Sequence, residues 1–474
     1  MILVLTDDQT LAQFTPEAMP QTTALVADAG TRFANLWVST ALCCPSRAVL
    51  LTGQYGHNNG VLANSPGYPA LVDPENTLPA WLQRAGYTTS HIGKYLNGYG
   101  QAGDGLGPGP GWERWHTAFG PYYYGFNIVD SEGARTAYEG EHATEVLNEI
   151  ALEEVRELGE QGSPYFLQID HRAPHTEGEN DTGGPCSGYA IPAPEDLELF
   201  KDAQPPRSPS FNEADVSDKP GFLQAEPLSE AKVSQLGDRW GCALASLASV
   251  DRGVGDLLGA LEETGQLQRT VILFTSDNGL FYGEHRIPTG KVVPYPEAHH
   301  MPLAIRAPAA YLGEEGAVGE VAAPVSNVDI PPTILELAGA KPCIGEGECR
   351  VLDGRSLVPA IAGENDLPTD RALLYEYRAQ DAGGFPTCEF TGVKTPRAML
   401  THHTRAAIGE ECVEVDELER YDLDGDPHAE DNLCAAGCPA TGEQDELARR
   451  LERLEVCAGI EGRDPRPASG EYCE

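Results

Sequence analysis

Short apolar segments that end abruptly in polar residues recur along this chain and alternate with helical stretches. They are Ile2–Thr6, Thr88–Tyr95, Pro164–Asp170 and Thr270–Gly279. Runs of this kind are typical of parallel strands that are covered on both faces. We therefore predict an α/β fold with a large mixed, mainly parallel sheet sandwiched by helices. In such folds ligands gather at the carboxyl ends of the strands, where the polar residues of this chain lie.

The chain is expected to divide into two parts. Residues 1–366 form the predicted α/β domain, with helices over Thr15–Gly30, Thr136–Glu157 and Trp240–Thr264 and a further strand in RFANLWV. Residues 176–224 are rich in Pro, Asp, Ser and Gly, which predicts a long surface excursion. Residues 367–474 read as a smaller α+β subdomain: ALLYEYR and RAMLTHHTRAAIG indicate antiparallel strands, and Thr441–Val456 a closing helix.

The charge of the chain excludes one class of partner. Among 474 residues, 73 are acidic and 32 basic, a formal net charge of -41. Binding to nucleic acid phosphates needs a basic surface, so we expect no nucleic-acid partner. No apolar run approaches the length that spans a membrane. If the substrate is an anion, its cationic binding site must be local.

The twelve cysteines cluster toward the C-terminus, where eight fall between Cys343 and Cys473. Pairs such as Cys343/Cys349 and Cys434/Cys438 are close enough to close short loops, which suggests disulfides and an oxidising compartment. The sequence opens on MILVLTDDQ without the features of a signal peptide. Either a targeting segment lies outside it or the thiols are reduced in the cytoplasm. The cysteine distribution favours a secreted, periplasmic or lumenal protein.

Two pairs of oxygen-bearing side chains end strands at distant points of the chain. Asp7 and Asp8 follow the first strand, and Asp277 and Asn278 follow another. Their hard oxygen donors suit calcium or magnesium better than zinc. One strand-end aspartate pair is more often a helix cap or a solvated loop, but two such pairs indicate a metal site.

The stretch ALCCPSRAVLLTG, residues 41–53, places two adjacent cysteines at the start of a predicted helix. Pro45 fits the first helical turn, where its missing N–H is not needed. A disulfide between neighbours is strained, and zinc sites space their cysteines further apart. Because a helix N-terminus favours negative charge, the position predicts a lowered thiol pKa and a thiolate nucleophile. The alternative is two small buried residues.

Cys43-x-Pro45-Ser46-Arg47, followed by Leu51-Thr52-Gly53, resembles the signature of type I sulfatases, in which the first cysteine is oxidised to formylglycine. The resemblance continues in order through LVLTDDQ, GKYLNGYG, APH, TSDNG and RYDLDGDPHAEDNL. The residues of these motifs are most similar to those of the branch that contains N-acetylglucosamine-6-sulfatases and arylsulfatases. It implies an alkaline-phosphatase-like fold and a formylglycine-generating enzyme as maturation partner.

The implied activity is hydrolysis of a sulfate monoester on a sulfated sugar, such as N-acetylglucosamine-6-sulfate, or on an aryl alcohol. A hydrated aldehyde at position 43 has two hydroxyls: one attacks sulfur, and the other then loses its proton so that the aldehyde reforms and sulfate leaves. The family also implies a role for each matching residue. One Ca²⁺, or Mg²⁺ in its place, is held by Asp7, Asp8, residue 43, Asp277 and Asn278, while Arg47 stabilises the hydrate, Lys94 and Lys291 bind sulfate oxygens and His175 is the general acid.

The chain departs from the family pattern at two places. Leu96 and Asn97 stand where many sulfatases have a histidine after the lysine, so Asn97 or His57 is the candidate to replace it. After Lys291 the chain reads YPEAHHMP, and we expect His300 to contact substrate, with packing an equal alternative for it and its neighbour His299. His285 and Arg286, in the loop after the second metal strand, are expected to line the pocket.

Two alternatives to a sulfatase remain open. A phosphonate or phosphodiester hydrolase of the same superfamily would share the formylglycine and the metal, because sulfate and phosphate esters have similar tetrahedral geometry. A binding protein for sulfated glycans, with Cys43 never converted, is disfavoured because such a module has no need of the CxPSR segment.

Overall fold

The computed structural model of the chain describes residues 1–100, 105–120, 123–177, 184–312, 319–364, 367–439 and 441–474. The strands in these ranges are β1 (Ile2–Thr6), β2 (Thr31–Phe33), β3 (Leu36–Trp37), β4 (Thr88–Gly93), β5 (Arg114–Phe119), β6 (Phe126–Val129), β7 (Arg135–Tyr138), β8 (Tyr165–Asp170), β9 (Ile272–Ser276), β10 (His300–Met301), β11 (Leu303–Arg306), β12 (Glu320–Val321), β13 (Val325–Ser326), β14 (Cys343–Gly345), β15 (Glu348–Cys349), β16 (Leu373–Arg378), β17 (Thr387–Lys394), β18 (Ala398–Ile408) and β19 (Glu411–Asp422).

Helices and single helical turns lie between the strands. They are α1 (Pro20–Thr22), α2 (Cys43–Thr52), α3 (Gly56–Asn59), α4 (Leu78–Arg84), α5 (Ala143–Gln161), α6 (Glu230–Glu263), α7 (Pro296–His299), α8 (Ala309–Leu312), α9 (Ile330–Ala338), α10 (Val358–Ile361) and α11 (Gly442–Leu454). None of the helices in the described ranges is long and apolar enough to cross a membrane.

A ten-stranded mixed sheet forms the centre of the molecule, in the order β12-β2-β11-β9-β1-β8-β4-β5-β6-β7. Its middle, from β9 through β1, β8 and β4 to β5, is parallel. The side chains of β1 alternate between two hydrophobic clusters, with Leu3 and Leu5 in one and Ile2 and Val4 in the other. Both faces of the sheet are therefore covered, as the apolar runs of the sequence predict.

A second sheet of four antiparallel strands, β16-β17-β18-β19, lies in the C-terminal part of the chain. Helix α11 packs on β17 and β18, and Leu447 and Leu451 share a buried cluster with Leu374 and Leu400 of this sheet. Two smaller sheets, β10-β3-β13 and β14-β15, complete the strand pairing of the described residues.

Five disulfides and two free cysteines account for the twelve cysteines. The predicted short loops are closed by Cys343–Cys349 and Cys434–Cys438. The other bridges are Cys186–Cys242, Cys388–Cys412 and Cys457–Cys473. Cys43 and Cys44 are free and buried. Bridges of this number are typical of proteins that mature in an oxidising compartment.

Four predicted elements have different boundaries in the structure. The helix expected from Trp240 begins earlier, because Ser229 caps α6 and the helix starts at Glu230. Met19 has φ −136°, outside the helical region, so the helix expected from Thr15 begins only at Pro20 and continues as a π-helical turn over Thr23–Ala27. RFANLWV forms two strands in different sheets, β2 and β3. The start of the helix expected from Thr136 is instead the edge strand β7, because residues 135–138 pair with β6.

The predicted excursion over residues 176–224 packs on the rest of the protein through buried charges, although its residues 178–183 lie outside the described ranges. Glu213 accepts a hydrogen bond from Lys219 at 3.0 Å and lies 2.7 Å from Nδ1 of His285. The His285 ring stacks on Tyr295 with centroids 4.0 Å apart, and the Tyr295 hydroxyl donates to Glu419 of β19 at 2.7 Å. A chain of contacts thus links the excursion to the loop after β9 and to the C-terminal sheet.

Glu419 is the centre of this network in the C-terminal sheet. Its carboxylate is fully buried, accepts from Tyr421 at 2.6 Å and lies 2.7 Å from Nε2 of the equally buried His403. Burial alone would raise the pKa of Glu419, but hydrogen bonding to His403 and the tyrosines brings it below its ordinary value.

We expect Glu419→Ala to lower the free energy of unfolding by about 3 kcal/mol, because it leaves His403 and two tyrosine hydroxyls without their buried partner. Urea denaturation followed by tryptophan fluorescence measures the change. The control is Asp424→Ala, which removes the exposed ion pair with Arg397 and should cost less than about 1 kcal/mol. Equal losses from the two variants would contradict the role assigned to Glu419.

Candidate active site at the strand tips

The two predicted metal pairs meet because their strands are parallel neighbours. β1 and β9 pair with Thr6 opposite Ser276, so the residues that follow each strand leave the sheet side by side. The backbone N–H of Asp8 donates to Oδ1 of Asp277 at 3.2 Å, and Asn278 Nδ2 donates to Oδ1 of Asp8 at 2.6 Å. All four side chains are buried. Residues 270 positions apart in sequence thus form one polar cluster.

Helix α2 brings position 43 to this cluster. Leu42 is extended and precedes the helix, so Cys43 occupies its first position. The Cys43 Sγ lies 3.3 Å from Oδ1 of Asp7 and accepts a hydrogen bond from Lys291 Nζ at 2.9 Å. The sulfur therefore lies between a carboxylate of one strand tip and a cation of a distant loop.

Three cations pair with the carboxylates. Lys94, directly after β4, forms a hydrogen-bonded ion pair with Asp7, and Lys291 forms one with Asp8. Arg47, one helical turn after Cys43, donates from Nε to Asp277 at 2.8 Å. These cations offset the charge of the carboxylates that surround them.

The charges of the site set its pKa values. Burial alone would raise the pKa of Asp7, but Lys94 and the other cations hold it well below its usual range. Burial, reinforced by the charge of Asp7, raises the pKa of Asp277 to about 6. The pKa of Lys291 is well above its ordinary value, because the attraction of Asp8 outweighs its burial. The cluster therefore holds its lysines charged and one carboxylate close to protonation.

Neither thiol fits the thiolate predicted from the helix N-terminus. Burial, reinforced by the charge of Asp7, raises the pKa of Cys43 to about 11, and burial raises that of Cys44 to about 12. The thiolate prediction is wrong for the unmodified chain, since the cost of burying a charge outweighs the helix dipole. Cys44 instead fills space in the core, with its sulfur 3.6 Å from the carbonyl of Asn97.

His175 lies in the loop after β8, at the edge of the cluster. Its Nε2 is 3.7 Å from Oδ2 of Asp8, and Nδ1 is 2.7 Å from the carbonyl oxygen of Thr176. The hydroxyl of Tyr123 donates to the His175 carbonyl at 2.9 Å, which anchors the loop. The side chain keeps 27% of its surface exposed, yet its surroundings remove enough water to lower its pKa to about 4. Because Nδ1 faces a carbonyl, Nε2 is the nitrogen turned toward Asp8.

The arrangement fits a divalent cation. Ligand atoms of Asp7, Asp8, Cys43 and His175 all lie within 4.8 Å of one another. Oδ1 of Asn278 is buried and has no hydrogen-bond partner among the described residues, as expected of an atom suited to coordination. The carboxylate and amide oxygens are those that hard cations prefer. His175 is the member of this group that the sequence pattern did not place among the metal ligands.

Five further residues are predicted to contact substrate. One of them lies near the cluster, and the other four have different partners. Asn97 lies next to Cys44, and its Oδ1 is buried with no partner among the described residues. His57 lies 3.1 Å from Glu376, and His285 contacts Glu213 in the excursion. Arg286 donates to three backbone carbonyls, including that of Ala225. Nε2 of His300 is 2.7 Å from the carbonyl of Ala34. Within the described ranges, these four side chains contact structural partners and not the cluster.

Sequence reasoning missed two buried residues, Asp170 beside Arg47 and His91 behind Asp170. Asp170 lies 3.3 Å from Nη1 of Arg47, and His91 lies 3.1 Å from Asp170. The available signal was that Asp170 ends an apolar strand, as Asp7 follows one. No pattern in the sequence indicated that His91 faces it.

Comparison with known proteins gives a consistent result. Residues 1–340 match the family model described as Sulfatase. An arylsulfatase of Volvox carteri is 33% identical over 407 residues, which cover 81% of this chain and 62% of that protein. The N-acetylglucosamine-6-sulfatase of Homo sapiens is 32% identical over 407 residues, covering 82% of this chain and 69% of that protein. The chain thus spans less than two thirds of the algal relative.

A solved structure shares the fold. It is a protein in complex with its substrate D-glucosamine-2-N,6-O-disulfate, with a TM-score of 0.70 and 23% identity over 96% of this chain and 97% of that one. At this identity the likeness concerns the fold alone, and it confirms the predicted α/β architecture.

Proposed function

This chain belongs to the sulfatase family, the sulfuric ester hydrolases, and on that premise we propose that it hydrolyses the sulfate ester of a sugar through a formylglycine formed from Cys43 and one calcium ion. N-acetylglucosamine-6-sulfate is the first candidate substrate, because the human relative carries that name. Aryl sulfates are the second, from the algal relative. The observation that carries the proposal is the position of the Cys43 sulfur, 2.9 Å from Lys291 and 3.3 Å from Asp7.

Each residue of the cluster has a role in this proposal. Asp7, Asp8, Asp277 and Asn278 would hold the cation, with Mg²⁺ as the alternative. When bound, the cation supplies charge neutralisation for the sulfate, and hydrated formylglycine supplies a nucleophile that can also release sulfate. The chain's own contribution is to keep this nucleophile at the first position of α2, against the strand tips and away from bulk water.

The cations provide the binding energy for the sulfate group. Lys291 contacts position 43 and Lys94 pairs with the neighbouring Asp7. Both ammonium groups are charged and can pair with sulfate oxygens as charge develops. Arg47 is buried beside the nucleophile and neutralises the carboxylates around it. His175 is the proposed general acid for the leaving alcohol, because its side chain is the most exposed of the group. Since its pKa is lowered to about 4, it has to take up its proton when the negatively charged substrate binds beside it.

The five disulfides support maturation outside the cytoplasm, in a secreted, periplasmic or lumenal setting. Conversion of Cys43 would then need a formylglycine-generating enzyme as a transient partner. The buried thiol is not reactive by itself, since its pKa is about 11.

Cys43→Ala should reduce sulfate release roughly 10³-fold or more, because it removes the nucleophile. Cys44→Ala should keep activity within about threefold, because Cys44 is a packing residue. The assay compares kcat/KM on N-acetylglucosamine-6-sulfate, nitrocatechol sulfate and a phosphonate ester, with mass spectrometry of the peptide that contains residue 43. Only thiol at position 43 in an active protein would contradict the proposal, and a preference for the phosphonate would favour the alternative activity.

Calcium should stabilise the protein by binding the folded strand tips, by about 2.7 kcal/mol at a hundredfold excess over its Kd. Thermal unfolding with calcium, magnesium, zinc or EGTA measures the effect. Asp277→Asn should abolish the shift, whereas the exposed Asp424→Asn should leave it unchanged. Stabilisation by zinc alone would contradict the calcium assignment.

His175→Ala should lower kcat on a sugar sulfate about 10²-fold or more, because an alkoxide leaves poorly without a proton. On nitrocatechol sulfate the loss should be below about tenfold, because that leaving group needs little protonation. The matched control is His402→Ala, on the exposed side of β18, with no change on either substrate. Equal losses on both substrates would show that His175 is not the acid.

A further inference from the structure

Asp170 and His91 form a buried pair behind the cluster that the proposed chemistry leaves unused. Asp170 is the last residue of β8 and His91 lies on the neighbouring strand β4. Both side chains are almost entirely buried, at 2% and 0% exposure. Polar groups so buried are retained only where they are paired, which raises the question of what this pair holds.

The carboxylate of Asp170 is fixed on three sides. His91 Nε2 lies 3.1 Å from its Oδ2, and Gln168 Nε2 donates to the same oxygen at 2.9 Å. The other ring nitrogen of His91 lies 2.7 Å from the hydroxyl of Thr117 on β5. The third contact is Nη1 of Arg47, at 3.3 Å from Oδ2. Three adjacent parallel strands thus orient one oxygen toward the guanidinium.

The backbone around the pair leaves little freedom. The N–H of Lys94 donates to the carbonyl of Asp170 at 3.0 Å. Gly93 has φ +98°, and a Cβ there would lie 2.1 Å from that carbonyl oxygen. The ends of β4 and β8 are therefore held in direct contact, which fixes Lys94 and Asp170 relative to each other.

Arg47 contacts three carboxylates, and two of them have another proposed use. Asp277, at 2.8 Å, and Asp7, at 3.7 Å, belong to the donors proposed for the cation. Asp170 is not among the donors proposed for the cation, and it has its own buried partners in His91 and Gln168. It is therefore the carboxylate that stays with Arg47 when the other two share their charge with a metal.

We propose that Asp170, oriented by His91, is a positioning residue that fixes the Arg47 guanidinium against position 43. The inference rests on the proposed function of the cluster. Asp170 and Asp277 approach the guanidinium at different nitrogens, Nη1 and Nε, and the carbonyl of Lys94 accepts from Nη1 at 2.9 Å. With Asp170 in place, the guanidinium has one orientation. Without it, a buried cation depends on carboxylates for which the metal competes.

The test is a double-mutant cycle on the mature, calcium-loaded enzyme. Asp170→Asn should lower kcat about 10- to 100-fold, with KM changed less than about threefold, because the defect lies in transition-state geometry. In the Arg47→Lys background, the same substitution should have less than about a twofold further effect, since Asp170 acts through Arg47. Calcium affinity by titration calorimetry and formylglycine content by mass spectrometry should match the wild type.

His91→Phe is the second variant, which keeps Asp170 and removes its orienting contact. It should lower kcat about 3- to 10-fold, in the same direction as Asp170→Asn. The matched control is His116→Phe, a histidine of β5 whose ring lies 3.0 Å from Glu154, and it should leave kcat unchanged. The His91 variant also keeps the test valid if Asp170→Asn folds poorly.

Each outcome has one meaning. Multiplicative losses in the Asp170 and Arg47 variants, or a loss of calcium affinity that parallels the loss of kcat, would overturn the positioning role. A rise in KM with unchanged kcat would overturn it as well. Failure of the wild-type enzyme to release sulfate would overturn the proposed function and this inference together, which separates that failure from the others.

Discussion

The cluster at the strand tips depends on the balance between its buried carboxylates and the three cations that face them. Burying an isolated carboxylate costs several kcal/mol, so Asp7, Asp8 and Asp277 can lie together only because Arg47, Lys94 and Lys291 face them. The same pairing keeps the lysines charged at neutral pH. In a chain of net charge -41, the cluster thus brings three cations together at one place.

The order of the strands in the sheet brings these charged groups close together. Strands β9, β1, β8 and β4 are parallel neighbours, so their carboxyl ends lie at one edge. That edge receives Asp277, Asp7, Asp170 and Lys94 from four points of the chain. Helix α2 then adds Cys43 and Arg47 one turn apart. The rigid elements carry the charged groups, and His175 lies in the loop after β8, anchored by Tyr123.

Local sequence patterns identified some of the site residues and not others. The strand-end pairs and the CxPSR segment could be found because each is local and chemically distinctive. His57, His285, Arg286 and His300 could not be judged in this way, since a histidine or arginine in a loop has many partners available. In the structure they contact Glu376, Glu213 and backbone carbonyls. The prediction of a Cys43 thiolate was wrong because it used only the position of the residue in its helix. The burial that raises the Cys43 pKa depends on the whole fold.

The sequence by itself determined the α/β class, the short disulfide loops and the membership of the sulfatase family, because each depends on residue type and spacing along the chain. Tertiary structure alone decided which charges meet. Asp170 and His91 are separated by 79 residues and carry no shared motif, yet the pairing of β4 with β8 brings them into contact beside Arg47. Electrostatic contacts act over a few ångströms in space, and only strand order and register convert distant positions into such neighbours.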